Sequence, residues 1–224
     1  MDSRRSTQRA ALTPERIVAA ALELADADGI AGVSMRAVAG RLGVQAMSLY
    51  NHIPGREALL DHMVDAVFSE ISPPDPAAGW RAAMEQRACS ARAVLARHHW
   101  AVGLLDSRSR PGPATLEYHE ATLRSLRTHG FSVPATAHAV AALDAYIYGF
   151  VLQEVSLPFS SPDELEAVAE ALLDEETARR YPFFTEFART HALQQGYDFG
   201  AEFEHGLTML LDSLAPDRPD VPTS

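Results

Sequence analysis

The chain has 224 residues, 47% of them hydrophobic, and a formal net charge of −11 with 30 acidic residues against 19 basic ones. That length allows one or two domains with a real core, and the single cysteine, Cys89, excludes an internal disulfide framework. No apolar run approaches the ~20 residues that span a bilayer, and the first fifteen residues lack a signal-peptide apolar core, so a cytoplasmic protein without membrane association is expected.

The charge is unevenly placed. Residues 1–56 carry seven arginines and five acids, a balance of +2, and the rest of the chain carries −13. A basic head on an acidic body favours phosphate contact at one end and repels it elsewhere. Every basic side chain is arginine, and that bias, with abundant alanine, points to a GC-rich bacterial genome.

In chain order, the first predicted helix covers 13–29. Thr13 caps it, Pro14 sits where its missing N–H is harmless, and Gly29 closes it. Ile17, Ala20, Ala21 and Leu24 repeat at helical spacing within it. A second helix covers 34–42, with Ser34 as N-cap and Gly43 as the left-handed stop. The third is expected over 45–51 and the fourth over 56–70. A helix as short as the third cannot stand alone. Its neighbours must hold it, with Met47 and Leu49 assigned to the core and Gln45, Ser48, Asn51 and His52 pointing outward. That is the arrangement of a DNA-reading helix-turn-helix.

Three prolines within Ile71-Ser-Pro-Pro-Asp-Pro break the chain. The division is therefore a head at 1–71 and a body at 72–224. In the body, helices are expected over 80–98, 113–129, 134–156 and 200–214, with a weaker one from Ser161 and a short one near 183–192. A Pro/Asp-rich tail should fray. Nothing reads as a strand or hairpin, so the fold class is all-α.

The motif S-x-R-x-V-A-x-x-L-G-V-x-x-x-S-L-Y-x-H-x-x-x-R-E-A-L-L, from Ser34 to Leu60, resembles the TetR (tetracycline repressor) family of bacterial transcriptional regulators. The stretches 110–131 and 149–152, with Trp80, are similar to the tetracycline repressor's C-terminal core, though less specifically. The resemblance implies a homodimer on palindromic double-stranded DNA, released by a small-molecule effector. Arg4, Arg5, Arg9, Arg36 and Arg56 can neutralise phosphates. Gln45, Ala46, Ser48 and Asn51 can reach base edges, and Tyr50 and His52 can touch the sugar-phosphate. The alternative for Tyr50 is a core-edge aromatic. Helices 134–156 and 200–214 are the expected dimer elements, the latter through Phe203, Leu207, Leu210, Leu211 and Leu214.

For the effector the candidates are Trp100, Arg110, Tyr118, His119, Thr122, His138, Tyr146 and Gln153, polar groups among apolar walls. The bland reading of each is a satisfied core residue. Asp106 and Gln153 fall where the tetracycline repressor uses histidine and glutamate for a magnesium chelate. The asparagine and phenylalanine that hold the drug there fall near Arg87 and Ala91. That set is not kept, so neither tetracycline nor a metal or other cofactor is expected. The chain has no phosphate loop, nucleophile elbow or HExxH pair, and an enzyme is not expected. The adjacent His98 and His99 point about 100° apart and read as polar side chains facing solvent. The competing function class is a helical small-molecule-binding or interaction protein with weak or no sequence-specific DNA binding.

Overall fold

The computed structural model describes residues 11–108, 110–159, 164–166, 168, 173–194 and 196–217, and among them every regular element is helical. Arg4, Arg5 and Arg9, together with the start of the helix expected from Ser161, lie outside the described residues.

Four helices build the head: α1 (Pro14–Asp28), α2 (Met35–Leu42), α3 (Ala46–Tyr50) and α4 (Arg56–Glu70). Their ends follow local chemistry. Thr13 and Ser34 accept the Arg16 and Ala37 amides as N-caps. Gly43 sits at φ 66°, ψ 34°, a left-handed cap that costs other residues steric strain. Ile17, Ala21, Val38, Leu49, Ile53, Leu59 and Met63 are fully buried and form the head core.

The body contains α5 (Trp80–Arg97), α6 (Pro113–Thr128), α7 (Val133–Val155), α8 (Glu175–Arg180), α9 (Pro182–Phe187) and α10 (Ala201–Asp212). α5 packs on α6, α7 and α10, and α7 touches α6 and α10. Inside it, Arg87 is fully buried and pairs with Asp144, while Arg92 pairs with Glu154 and stacks over Phe150 and Phe203. Tyr146 donates its hydroxyl to the Phe203 carbonyl at 2.9 Å, which ties α7 to α10. At 23 residues, α7 is long and apolar enough to cross a bilayer, where reading for an uninterrupted run found no such segment. It is instead packed against three body helices and carries the paired Asp144.

The joint between head and body is made largely by one stripe of α4. Glu57, Asp61, Asp65 and Phe68 recur at i, i+4, i+8 and i+11, one helical face. Arg108 reaches Glu57 at 3.0 Å and Asp61 at 3.4 Å. Asp65 accepts both the amide and the hydroxyl of Thr115, at 2.8 and 2.9 Å, and so caps the start of α6 from another helix. Phe68 packs on Tyr118 and His119 with ring centroids 5.0 and 5.5 Å apart. Gly112 leaves room for this cap, because a Cβ at that position would overlap the Asp65 carboxylate and displace it.

The second part of the joint holds α1. Asp26 accepts from Trp100 Nε1 and faces His98 Nδ1, each at 2.7 Å, and His98 Nε2 faces Glu70 at the end of α4. His98 is therefore buried between two carboxylates rather than on the surface. Its partners lie 72 and 28 residues away in sequence, where adjacency to His99 gives no hint of them.

Asp65→Ala and Gly112→Ala should each lower stability by about 1 kcal/mol, the usual worth of a helix N-cap. Because both remove the same contact, the double variant should be no less stable than the worse single one. Denaturant unfolding of the four proteins in a double-mutant cycle measures this.

Candidate nucleic-acid interface

α3 is only five residues long, so its placement depends on its anchors. Leu49 and Ile53 are fully buried, and Gln45 is the extended N-cap. With Leu49 pointing inward, residues two positions away point outward, since two residues turn a helix by about 200°. Gln45, Tyr50, Asn51 and His52 are exposed, and Ala46 and Ser48 are half-buried. Arg36 on α2 is exposed on the same four-helix unit. The sequence expectation fails at Met47, which is 73% exposed rather than part of the core. A five-residue helix has too few inward positions for periodicity to decide, and Leu49 takes the one available.

Arg56 has a structural duty that its motif position does not reveal. Its Nε donates to the Val33 carbonyl at 3.0 Å and its Nη2 to the Ile30 carbonyl at 3.2 Å. These bonds fix the start of α4 to the turn before α2. Arg41 is committed to Glu23 at 2.7 Å, joining α2 to α1.

The profile for bacterial regulatory proteins of the tetR family matches residues 17–63, and that for the tetracyclin repressor-like C-terminal domain matches residues 72–216. The chain belongs to the TetR family. It is 34% identical to the HTH-type transcriptional repressor DrrR1 of Streptomyces coeruleorubidus over 215 residues, spanning 91% of this chain and 77% of the relative. It is 30% identical to the class A tetracycline repressor of transposon 1721 from Escherichia coli over 210 residues, 92% of each chain. The structure superposes on Streptomyces coelicolor ActR in complex with actinorhodin with a TM-score of 0.70 and 27% identity, covering 91% of this chain and 96% of ActR.

The eight effector candidates of this TetR-family chain are not gathered in one place. Tyr118 and Thr122 are buried on α6, and His119 beside them is half-buried against Phe68. Thr122 bonds back to the Tyr118 carbonyl at 2.9 Å. Trp100 is in the joint, its indole N–H held by Asp26, and Tyr146 is the tie between α7 and α10. His138 and Gln153 are exposed on α7. Arg110 is exposed on a surface cleft of about 550 Å³ at the joint, shared with Pro54, Arg56, Glu57 and Asp61. A separate apolar cavity of about 240 Å³ is lined by Phe159, Leu165, Val168, Leu173, Phe184 and Phe187.

Sequence reasoning gave Arg87 no role beyond its aligned position. It lies under the Tyr118 ring, its Cζ 5.0 Å from the centroid, and two of its nitrogens, Nε and Nη1, are buried with no hydrogen-bond partner among the described residues. Desolvation opposes the Arg87 charge, but Tyr118 and Asp144 outweigh it and raise its pKa. Gln153 is exposed on α7, the Asp106 side chain lies outside the described residues, and among the described residues no three His, Cys, Asp or Glu side chains are gathered as metal ligands.

Burial pushes the Tyr118 hydroxyl up to about 12 against the favourable effect of Arg87. The folded protein therefore keeps a proton that the unfolded chain loses near pH 10, and the associated stability disappears as pH rises from 10 to 12. Tyr118→Phe should flatten that part of the stability–pH curve, read by denaturant unfolding at pH 9.5 and 11.5. An unchanged slope would count against the burial assignment.

Proposed function

We propose that this protein is a dimeric repressor that binds a palindromic operator and is released by a small organic effector. The observation that carries this reading is the outward face of α3, held rigidly by Leu49 and Ile53 while its polar side chains stay uncommitted to the core. Residues 1–71 act as the DNA-binding domain and 72–224 as the effector and dimerisation domain. Gln45, Ala46, Ser48 and Asn51 face base edges, and Arg36, Tyr50, His52 and the remaining valence of Arg56 face phosphates. One head touches too few bases for useful specificity, so two heads read half-sites about 34 Å apart or a multiple of it.

The second copy packs on α7 and α10. Phe203, Leu207 and Leu211 are used inside the subunit, while Leu152, Val155 and Met209 are exposed and are joined on α7 by His138 and Gln153. The effector contacts α6 through Tyr118, His119 and Thr122, with Arg87 as the buried cation nearby. α6 is also the helix whose start is capped by Asp65 of α4. A ligand that fits only one position of α6 shifts the heads between spacings that do and do not match an operator. ActR in complex with actinorhodin and with (S)-DNPA supports an organic effector. Like TetR-family regulators in general, the protein works in the cytoplasm, without catalysis.

The test is fluorescence anisotropy on a palindromic duplex from upstream of the protein's own coding region. Affinity should fall steeply with added salt, the slope reporting the phosphates neutralised. Arg36→Ala should weaken binding to all duplexes alike and reduce that slope by about one unit, whereas Tyr50→Ala, which removes a neutral phenol, should weaken all duplexes alike and leave the slope unchanged. Gln45→Ala should instead change the preferred bases, with a loss of about 1–3 kcal/mol at its own position. Binding without salt dependence or sequence preference would favour the helical interaction protein instead.

A further inference from the structure

Among the described residues of the head, Met47 and Tyr50 are the two large apolar side chains left exposed. A single exposed methionine is ordinary on a protein surface. Three observations set this one apart. It sits opposite the fully buried Leu49, so it points directly away from the head core. Its neighbours on that outward face, Tyr50 at i+3 and Asn51 at i+4, are both exposed. Exposed charge, from Arg36, stands elsewhere on the same unit, yet the centre of the α3 face is apolar.

From these we infer that Met47 reads thymine, packing its thioether against the 5-methyl group in the major groove. The inference rests on the DNA-binding reading above and adds a base preference that its polar residues do not supply. Among the four bases, only thymine presents a methyl group in that groove, so an apolar probe there discriminates it. Methionine suits the task because it is unbranched and polarizable, and adapts to the contour of the base edge. Ala46 is shorter and half-buried, and reaches less far from the helix axis.

The experiment begins with a duplex recovered from random-sequence DNA by the wild-type protein. Each thymine is then replaced by uracil, which removes the 5-methyl group and nothing else, and binding is followed by anisotropy. One symmetric pair of positions should respond, with affinity falling about fourfold for each methyl removed, the worth of one buried methyl group. Met47→Ala should bind the thymine and uracil duplexes equally, and Met47→Leu should restore the discrimination. Since the side chain is exposed, none of these variants should shift the thermal unfolding midpoint, which checks folding.

The inference is overturned if every uracil duplex binds the wild type as well as its parent, or if the recovered duplexes hold no symmetric thymine pair. It is also overturned if Met47→Ala discriminates as the wild type does, which would give the role to Ala46. Recovery of no preferred sequence at all would remove the operator reading itself, and this inference with it.

Discussion

The structure depends on α4 being shared. Its inner residues, Leu59, Leu60, Met63 and Val67, complete the head core. Its stripe of Glu57, Asp61, Asp65 and Phe68 belongs to the body, through Arg108, Thr115 and the aromatic contact with Tyr118. One rigid 15-residue helix therefore cannot move relative to the body without carrying α2 and α3 with it. Arg56 strengthens that constraint by bonding the first turn of α4 to the backbone that leads into α2.

The two halves of the joint differ in kind. The α6 contact is a helix cap: a carboxylate on α4 satisfies a free N–H at the start of α6 and complements its dipole. Gly112 leaves the space for it. The α1 contact is a shared acceptor, with Asp26 serving an indole and an imidazole from the turn after α5. The start of α6 is thus tied to the middle of α4, whereas the end of α5 is tied to α1 through Asp26 and to the last residue of α4 through Glu70. The head is gripped at two helices, α1 and α4.

What was legible from sequence divides along the range of the interactions. The head helices were placed within a residue or two because Thr13, Ser34 and Gly43 act on their own neighbours, and those caps formed as expected. The body helices with strong apolar periodicity were placed nearly as well. His98 was misjudged, and the contacts of Trp100 and Arg87 were passed over, because their partners are Asp26, Glu70 and Asp144, tens of residues away. No spacing rule links those positions. Met47 failed for the opposite reason: the interval was too short, and one inward site on α3 had two apolar claimants. Between 175 and 197 the helices are brief and mostly exposed, with Phe183 at 83%, so there was no buried face for a pattern to record.

The strengths of these contacts bear on how the molecule responds. Many of the charged pairs at the joint are partly open to water: Glu57 has three quarters of its side chain exposed and Arg97 more than half. Pairs of that kind are worth about 0.2–1 kcal/mol each. The body is held differently, by the fully buried Arg87 against Asp144 and by apolar side chains along α5, α7 and α10. Breaking a buried pair costs about 3–5 kcal/mol. A displacement within the body therefore yields at the joint before it yields in the core. Coupling between sites in proteins is typically about 1–3 kcal/mol, which a few joint contacts can supply and the body core greatly exceeds. In the regulator proposed above, these weak contacts would lie between effector and operator, a placement in which a modest differential affinity at α6 would move two otherwise rigid heads.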